Sequence, residues 1–157
     1  MTEKKEKRIV ASHLFFPLVK SLLGEGYDVK FTVSGISMSP LIRDNTDAVI
    51  ITAINRSLKK GDIVLFESPY EKDRYILHRI TRIFRGGKSL QTTGDGCLGR
   101  DMPIKTDCVI AIVNTIIRGN MIIDCSAIKW KFVFFLWRTA FPIRALLIGA
   151  INRRSRS

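Results

Sequence analysis

Apolar and polar positions follow a helical period at the start of the chain. Between residues 9 and 23 the apolar side chains recur at positions 10, 14, 15, 18, 19 and 22, which share one face of a helix. Gly24 and Gly26 follow, and glycine at this point favours the end of a helix. The pattern therefore predicts an N-terminal amphipathic helix within residues 1–26.

The period changes between residues 27 and 118, where short apolar runs alternate with turn residues. No stretch of helical period separates these runs, so the strands should pair antiparallel rather than form β/α units. We expect a mainly β fold and assign residues 27–125 to one β domain. The predicted strands are 29–33, 48–52, 63–67, 75–84, 89–93 and 109–117.

The C-terminal segment, residues 126–157, is apolar and aromatic, but Arg138, Pro142 and Arg144 interrupt it. An arginine at the centre of a membrane-spanning helix costs about 2.5–3.5 kcal/mol, which disfavours a plain transmembrane helix. Two short C-terminal apolar helices lying among lipid headgroups fit better. Helices packed on the β domain, with their cations facing water, are the alternative.

Charge strengthens the membrane interpretation. The chain has 26 Lys and Arg against 14 Asp and Glu, a formal net charge of +12. Residues 126–157 are basic and contain no acidic residue, and cations beside apolar side chains attract anionic lipid. We expect residues 129–156 to bind an anionic membrane surface. The protein would then be membrane-associated, peripheral or re-entrant through this tail, and otherwise cytoplasmic. The charge also leaves open a nucleic-acid-binding β domain, although no nucleic acid is the expected partner.

Cysteine usage argues against a disulfide framework and against a zinc site. The chain has three cysteines, an odd number, and none of them forms a C-x-x-C pair. Ordinary thiols of this kind are typical of a reducing compartment. We expect neither a metal nor another cofactor. The three cysteines are Cys97, Cys108 and Cys125.

Candidate chemistry begins at Ser37, which lies in a Gly-Ile-Ser-Met-Ser-Pro turn directly after a predicted strand. A serine at a sharp turn can present its hydroxyl beside backbone N–H groups, as a nucleophile requires. His78 lies in a predicted strand, and Asp95 and Asp101 lie in the loop that follows the fifth strand. Each of these residues, taken alone, is more typical of an ordinary turn or strand than of a catalytic site.

Their order along the chain is more specific. It runs G-x-S-M-x-P, K-G-D-I-V-x-F, L-H-R-I, T-x-G-D, D-x-P-I and V-I-A-I-V, over about residues 33–113. This series resembles the S24/S26 serine peptidases, which include type I signal peptidases and LexA-type self-cleaving repressors. The resemblance implies the β fold of that family, and a serine endopeptidase that cleaves a peptide or preprotein near a membrane.

The resemblance also implies roles for individual residues. Ser37 matches the nucleophile, and its backbone N–H would be an oxyanion donor. His78 falls where many bacterial members have a lysine base, so the chain is similar to the Ser-His variant of the endoplasmic-reticulum and archaeal signal peptidases. Asp101 is the first choice for the carboxylate that orients the histidine, and Asp95 is the second.

One departure keeps an alternative open. Signal peptidases commonly carry a hydroxyl two residues before the nucleophile, whereas this chain has Gly35 there. The G-x-S-M form is closer to the LexA-type branch. A LexA-type domain that cleaves itself, or an inactive peptidase fold that only binds a partner, is therefore the second interpretation.

Overall fold

The computed structural model describes residues 12–139 and confirms a mainly β fold with one helix at each end. The helices are α1 (Ser12–Gly24) and α2 (Ile128–Thr139), and short 3-10 turns lie at Arg85–Gly87 and Thr106–Cys108. The strands are β1 (Val29–Thr32), β2 (Ala48–Thr52), β3 (Ile63–Glu67), β4 (Tyr75–Ile83), β5 (Ser89–Thr93), β6 (Ile104–Lys105), β7 (Val109–Arg118) and β8 (Met121–Asp124).

All eight strands belong to one curled antiparallel sheet. Its order is β1-β2-β7-β3-β4-β5-β6, and β8 pairs with the second half of β7. The central strand β3 has the sequence IVLFE, and its first four residues are buried on both faces of the sheet. Because β4 and β5 pair with Arg79 opposite Thr93, the loop that leaves β5 begins close to His78.

Two apolar cores cover the two faces of the sheet. The main core joins Val19 and Leu23 of α1, the β1–β2 turn and Phe134 of α2. The second core is smaller and includes Val64 and Phe66 of β3. In α1 the buried face is rotated from the predicted one, because positions 14 and 18 are exposed.

The helix α2 lies in the segment that was predicted to form two short apolar helices. The first of these is present as Ile128–Thr139, and the second falls in residues 140–157, outside the described part of the chain. Phe134 is only 7% exposed and packs in the main core. Within residues 12–139, no helix has the length and hydropathy that crossing a bilayer would need.

Candidate active site

The turn that carries Ser37 connects β1 to β2. Gly35 has a φ of +110°, a left-handed conformation that glycine adopts without steric cost. Its N–H donates a hydrogen bond to Oδ1 of Asp44 at 2.8 Å. Met38 and Ile42 are buried in the main core. The turn is therefore anchored on both sides of Ser37, which is itself half-buried.

A buried carboxylate fixes the far end of the same turn. Asp47 has no exposed surface, and Nη2 of Arg118 donates to its Oδ2 at 2.7 Å and to the carbonyl oxygen of Leu41 at 2.9 Å. The backbone N–H of Arg43 also donates to Asp47, at 2.9 Å. Burial raises the pKa of Asp47, but the hydrogen bonds from Arg118 and Arg43 outweigh it and hold the pKa below 3.8. Asp47 is thus ionised at neutral pH and ties the Ser37 turn to β7.

The histidine of the candidate site lies on β4 with its ring on the second-core face. His78 pairs with Val64 of β3 and is 8% exposed. Its Nδ1 lies 2.6 Å from Oδ2 of Asp101. The hydroxyl of Thr92 donates to the same carboxylate oxygen at 2.6 Å, and the N–H of Asp101 donates to the carbonyl of Thr92 at 3.1 Å. The loop after β5 therefore holds Asp101 against the imidazole.

The environment of Asp101 favours the ionised carboxylate. Partial burial raises the pKa of Asp101, but the hydrogen bonds from His78 and Thr92 outweigh burial and hold the pKa below 3.8. An ionised partner at Nδ1 favours the tautomer that carries its hydrogen on Nδ1. The lone pair of the ring then lies on Nε2, the atom that a general base would use.

Two glycines bring the Ser37 turn against this histidine. A Cβ atom built on Gly94 would lie 2.3 Å from the carbonyl oxygen of Ser37 and 3.0 Å from Nε2 of His78. The N–H of Gly96 donates to the same Ser37 carbonyl at 2.7 Å. The backbone of Ser37 and Nε2 of His78 therefore border a common point, and this approach requires glycine at position 94.

The contact between serine and histidine that catalysis would need is not formed in this structure. Among residues 12–139, no hydrogen bond links Oγ of Ser37 to Nε2 of His78, and the Ser37 N–H has no acceptor. Hydrogen bonds of this kind are often longer without substrate and shorten when substrate binds. An N–H without an acceptor is the kind of donor from which an oxyanion hole is built.

Asp95, the second candidate for orienting the histidine, has a different partner. It accepts from Nε of Arg79 at 2.9 Å and from Nη2 at 2.6 Å, and both residues are buried. Nη1 of Arg79 donates to the carbonyl of Gly61 at 2.8 Å. The structure thus places Asp101, not Asp95, beside His78.

Sequence reasoning missed several residues that build the site. These are Thr92, which fixes Asp101, the glycines at 94 and 96, and Arg79. A signal for Arg79 was present, because a charged residue inside the apolar run YILHRITRIF needs an acidic partner if the strand is buried. The signal for the glycines was the T-G-D-G sequence, since two glycines so close together often mark a close backbone approach.

A cavity of about 390 Å³ lies near this site but does not contain its reactive groups. Lys60, Arg82 and Arg100 line it, together with Gly94 and Asp95, and its lining includes neither the serine nor the histidine. The cavity is therefore separate from the Ser37 and His78 side chains. Within residues 12–139, no group of three or more His, Cys, Asp or Glu side chains is arranged to hold a metal ion.

The helix α2 has a second apolar face that the sheet does not cover. Trp130, Phe134 and Trp137 face inward, whereas the outer face carries Ile128, Phe132 and Phe135 at 85%, 59% and 57% exposure. Lys129 and Lys131 are exposed beside this outer face. Aromatic side chains bordered by cations are typical of surfaces that contact lipid headgroups.

Comparison with protein-family models finds no match to this chain. Comparison with curated proteins finds no similar protein.

Proposed function

We propose that this protein is a serine endopeptidase of the S24/S26 type, similar to signal peptidases, in which Ser37 and His78 cleave a peptide or preprotein. The observation that carries the proposal is the contact of Nδ1 of His78 with Asp101 at 2.6 Å, with Nε2 directed toward the Ser37 turn. Serine, histidine and aspartate in these roles recur on unrelated folds, so the geometry is informative without a family match. The order of the six motifs provides independent support.

The proposed reaction assigns each residue one role. Nε2 of His78 takes the proton of Ser37 Oγ as this oxygen bonds to the scissile carbonyl carbon. The Ser37 N–H stabilises the oxyanion, and Asp101 stabilises the imidazolium. The C–N bond then breaks, and the leaving amine takes the proton from Nε2. Water, activated by the same nitrogen, hydrolyses the acyl-enzyme.

Covalent labelling tests this proposal directly. The purified full-length protein in detergent is incubated with a fluorophosphonate probe, which reacts with activated serines. We expect labelling of the wild type, none of Ser37→Ala, and a loss of about 100-fold or more in His78→Ala and Asp101→Asn. Ser39→Ala is the matched control, because Ser39 lies in the same turn and is also half-buried.

The result that would reject the proposal is a folded wild type without labelling, or labelling that Ser37→Ala retains. Incubating the purified protein without a substrate distinguishes the LexA-type alternative from cleavage of another protein. Cleavage of the chain at one site, lost in Ser37→Ala, would support self-processing instead of cleavage of another protein.

We further propose that α2 attaches the protein to an anionic membrane surface. The support is the outer face with Ile128, Phe132 and Phe135, together with the cations of residues 126–157. Vesicles of phosphatidylglycerol and phosphatidylcholine test this by co-sedimentation. Phe132→Ser with Phe135→Ser should reduce binding to the anionic vesicles, and Met102→Ser, also an exposed apolar position, should not. Equal binding of both variants would reject α2 as the contact.

A further inference from the structure

The inner face of α2 contacts the segment that supports the candidate nucleophile. Nε1 of Trp137 donates a hydrogen bond to the carbonyl oxygen of Asp95 at 3.0 Å. Asp95 is flanked by Gly94 and Gly96, the two glycines that touch the Ser37 turn. A single peptide segment thus meets α2 on one side and the nucleophile turn on the other.

A second contact joins α2 to the same segment. The guanidinium of Arg79 lies over the ring of Phe134, with 4.4 Å between Cζ and the ring centroid. Arg79 in turn holds the side chain of Asp95 by two hydrogen bonds. Phe134 and Trp137 are one helical turn apart on α2. Trp137 contacts the backbone of Asp95 directly, and Phe134 contacts the side chain of Asp95 indirectly through Arg79.

The contact between this segment and the Ser37 turn leaves little free space. The N–H of Gly96 donates to the Ser37 carbonyl at 2.7 Å. A Cβ atom on Gly96 would lie 2.7 Å from the carbonyl oxygens of Ile36 and Ser39. Because close-packed groups transmit displacements rather than absorb them, a shift of residues 94–96 must displace Ser37.

We infer that Trp137 is a positioning residue for Ser37, acting through the Asp95 carbonyl and the Gly96 N–H. The inference rests on the proposed function, because the position of Ser37 affects a rate only if Ser37 reacts. A displacement of about 1 Å at a reacting atom is enough to slow a reaction about 100-fold. The same helix carries the proposed membrane contact on its outer face. Binding of lipid to that face can therefore affect the position of Ser37.

The test compares Trp137→Phe with Trp130→Phe. Both tryptophans are half-buried on the inner face of α2, but among residues 12–139 the Trp130 indole N–H has no hydrogen-bond partner. We expect Trp137→Phe to lower the rate of fluorophosphonate labelling about tenfold or more, and Trp130→Phe to leave it near the wild-type rate. With a peptide substrate, kcat should fall while KM changes little. Melting temperatures are measured alongside, since a purely structural role would lower stability without separating the two variants in rate.

Hydrogen exchange of the Gly96 amide provides a readout that does not need activity. The Gly96 amide hydrogen, which is bonded to the Ser37 carbonyl, should exchange faster in Trp137→Phe than in the wild type. In Trp130→Phe it should exchange at the wild-type rate. If the wild type is not labelled but Gly96 responds in this way, the proposed function fails and the positioning contact stands. If neither labelling nor Gly96 exchange responds to Trp137→Phe, the inference is overturned.

A measurement on the wild type covers the case in which Trp137→Phe does not fold. The indole N–H of Trp137 and the amide of Gly96 should exchange through one opening event, with the same dependence on low denaturant concentrations. Different dependences would show that α2 and residues 94–96 open separately, which would overturn the inference.

Discussion

Arg79 on β4 and Asp95, which follows β5, form a buried bidentate ion pair. The two N–O distances are 2.9 and 2.6 Å, and the residues are 1% and 3% exposed. A charge at this depth is tolerated because its partner neutralises it and accepts its hydrogen bonds. The pair lies between α2 and the Ser37 turn, and because Asp95 is bound to Arg79 it does not contact His78.

Removing one member of this pair should strongly destabilise the fold. Arg79→Met leaves the Asp95 carboxylate buried without its cation, and we expect a loss of about 3–5 kcal/mol in the free energy of unfolding by urea titration. The control is Arg74→Met, because Arg74 forms an exposed ion pair with Glu71. If both variants unfold at the same urea concentration, the buried pair is not a main support of the fold.

Gly94 has no room for a side chain. Gly94→Ala would place a methyl group 2.3 Å from the Ser37 carbonyl, so we expect a loss of about 1–3 kcal/mol in unfolding free energy and slower serine labelling. Gly99→Ala has open space around it and no positive φ, so it should be neutral or slightly stabilising. A Gly94→Ala protein with wild-type stability and labelling would contradict the close approach.

The carboxyl of Asp101 should titrate below its ordinary range. Its hydrogen bonds from His78 and Thr92 lower the pKa more than burial raises it. Thr92→Val removes one of these bonds while burial remains, so the pKa of Asp101 should rise. Carbon NMR of the labelled carboxyl group measures both midpoints. Equal midpoints in the wild type and the variant would show that Thr92 does not stabilise the charge.

Asp47 should make stability depend on acid pH. Its folded-state pKa lies below the unfolded value, so the ionised carboxylate stabilises the fold fully above about pH 4, and this contribution is lost as pH falls through the folded pKa. Asp47→Asn should therefore cost about 2 kcal/mol at pH 7 and progressively less below pH 4. Urea titrations at several pH values measure the difference.

The control for this titration is Asp73→Asn, since Asp73 is exposed and has no hydrogen bond from its side chain among the described residues. It should match the wild type at every pH. A constant gap between the wild type and Asp47→Asn from pH 7 to pH 3 would show that the charge of Asp47 is not what stabilises the turn.

The pH dependence of labelling distinguishes a histidine base from a lysine base. A histidine base reacts as the neutral imidazole, so acid should slow the labelling, whereas a lysine base needs an alkaline medium. Labelling rates between pH 5 and 9 provide the profile. A rate that begins to rise only above about pH 8 would exclude His78 as the base.

Local pattern predicted much of the sheet. Strands β2, β3 and β5 have the predicted bounds, because each is an apolar or alternating run between turn residues. Strand β6 was missed because two residues are too few to show a period, and β8 was missed because its sequence, MIID, does not alternate. Their pairing with β5 and β7 depends on distant parts of the chain.

The site divides in a similar way. Ser37, His78 and Asp101 could be named from motif order, but their assembly depends on contacts that no local pattern contains. One example is the register that sets Arg79 opposite Thr93. Another is the close contact of Gly94 with the Ser37 carbonyl, which leaves no room for a Cβ atom. The buried face of α1 was misplaced for a related reason, because several apolar stripes were compatible with its sequence and packing selected one.

The ion pair of Arg118 with Asp47 also bears on how the protein folds. The two residues are 71 positions apart, and the same guanidinium holds the Leu41 carbonyl in the Ser37 turn. Contacts of such long sequence separation form late and slow the folding of a domain. During synthesis we therefore expect the Ser37 turn to reach its final geometry only after Arg118 of β7 has left the ribosome. A chain that ends before residue 118 contains every residue of the proposed triad but lacks this clamp.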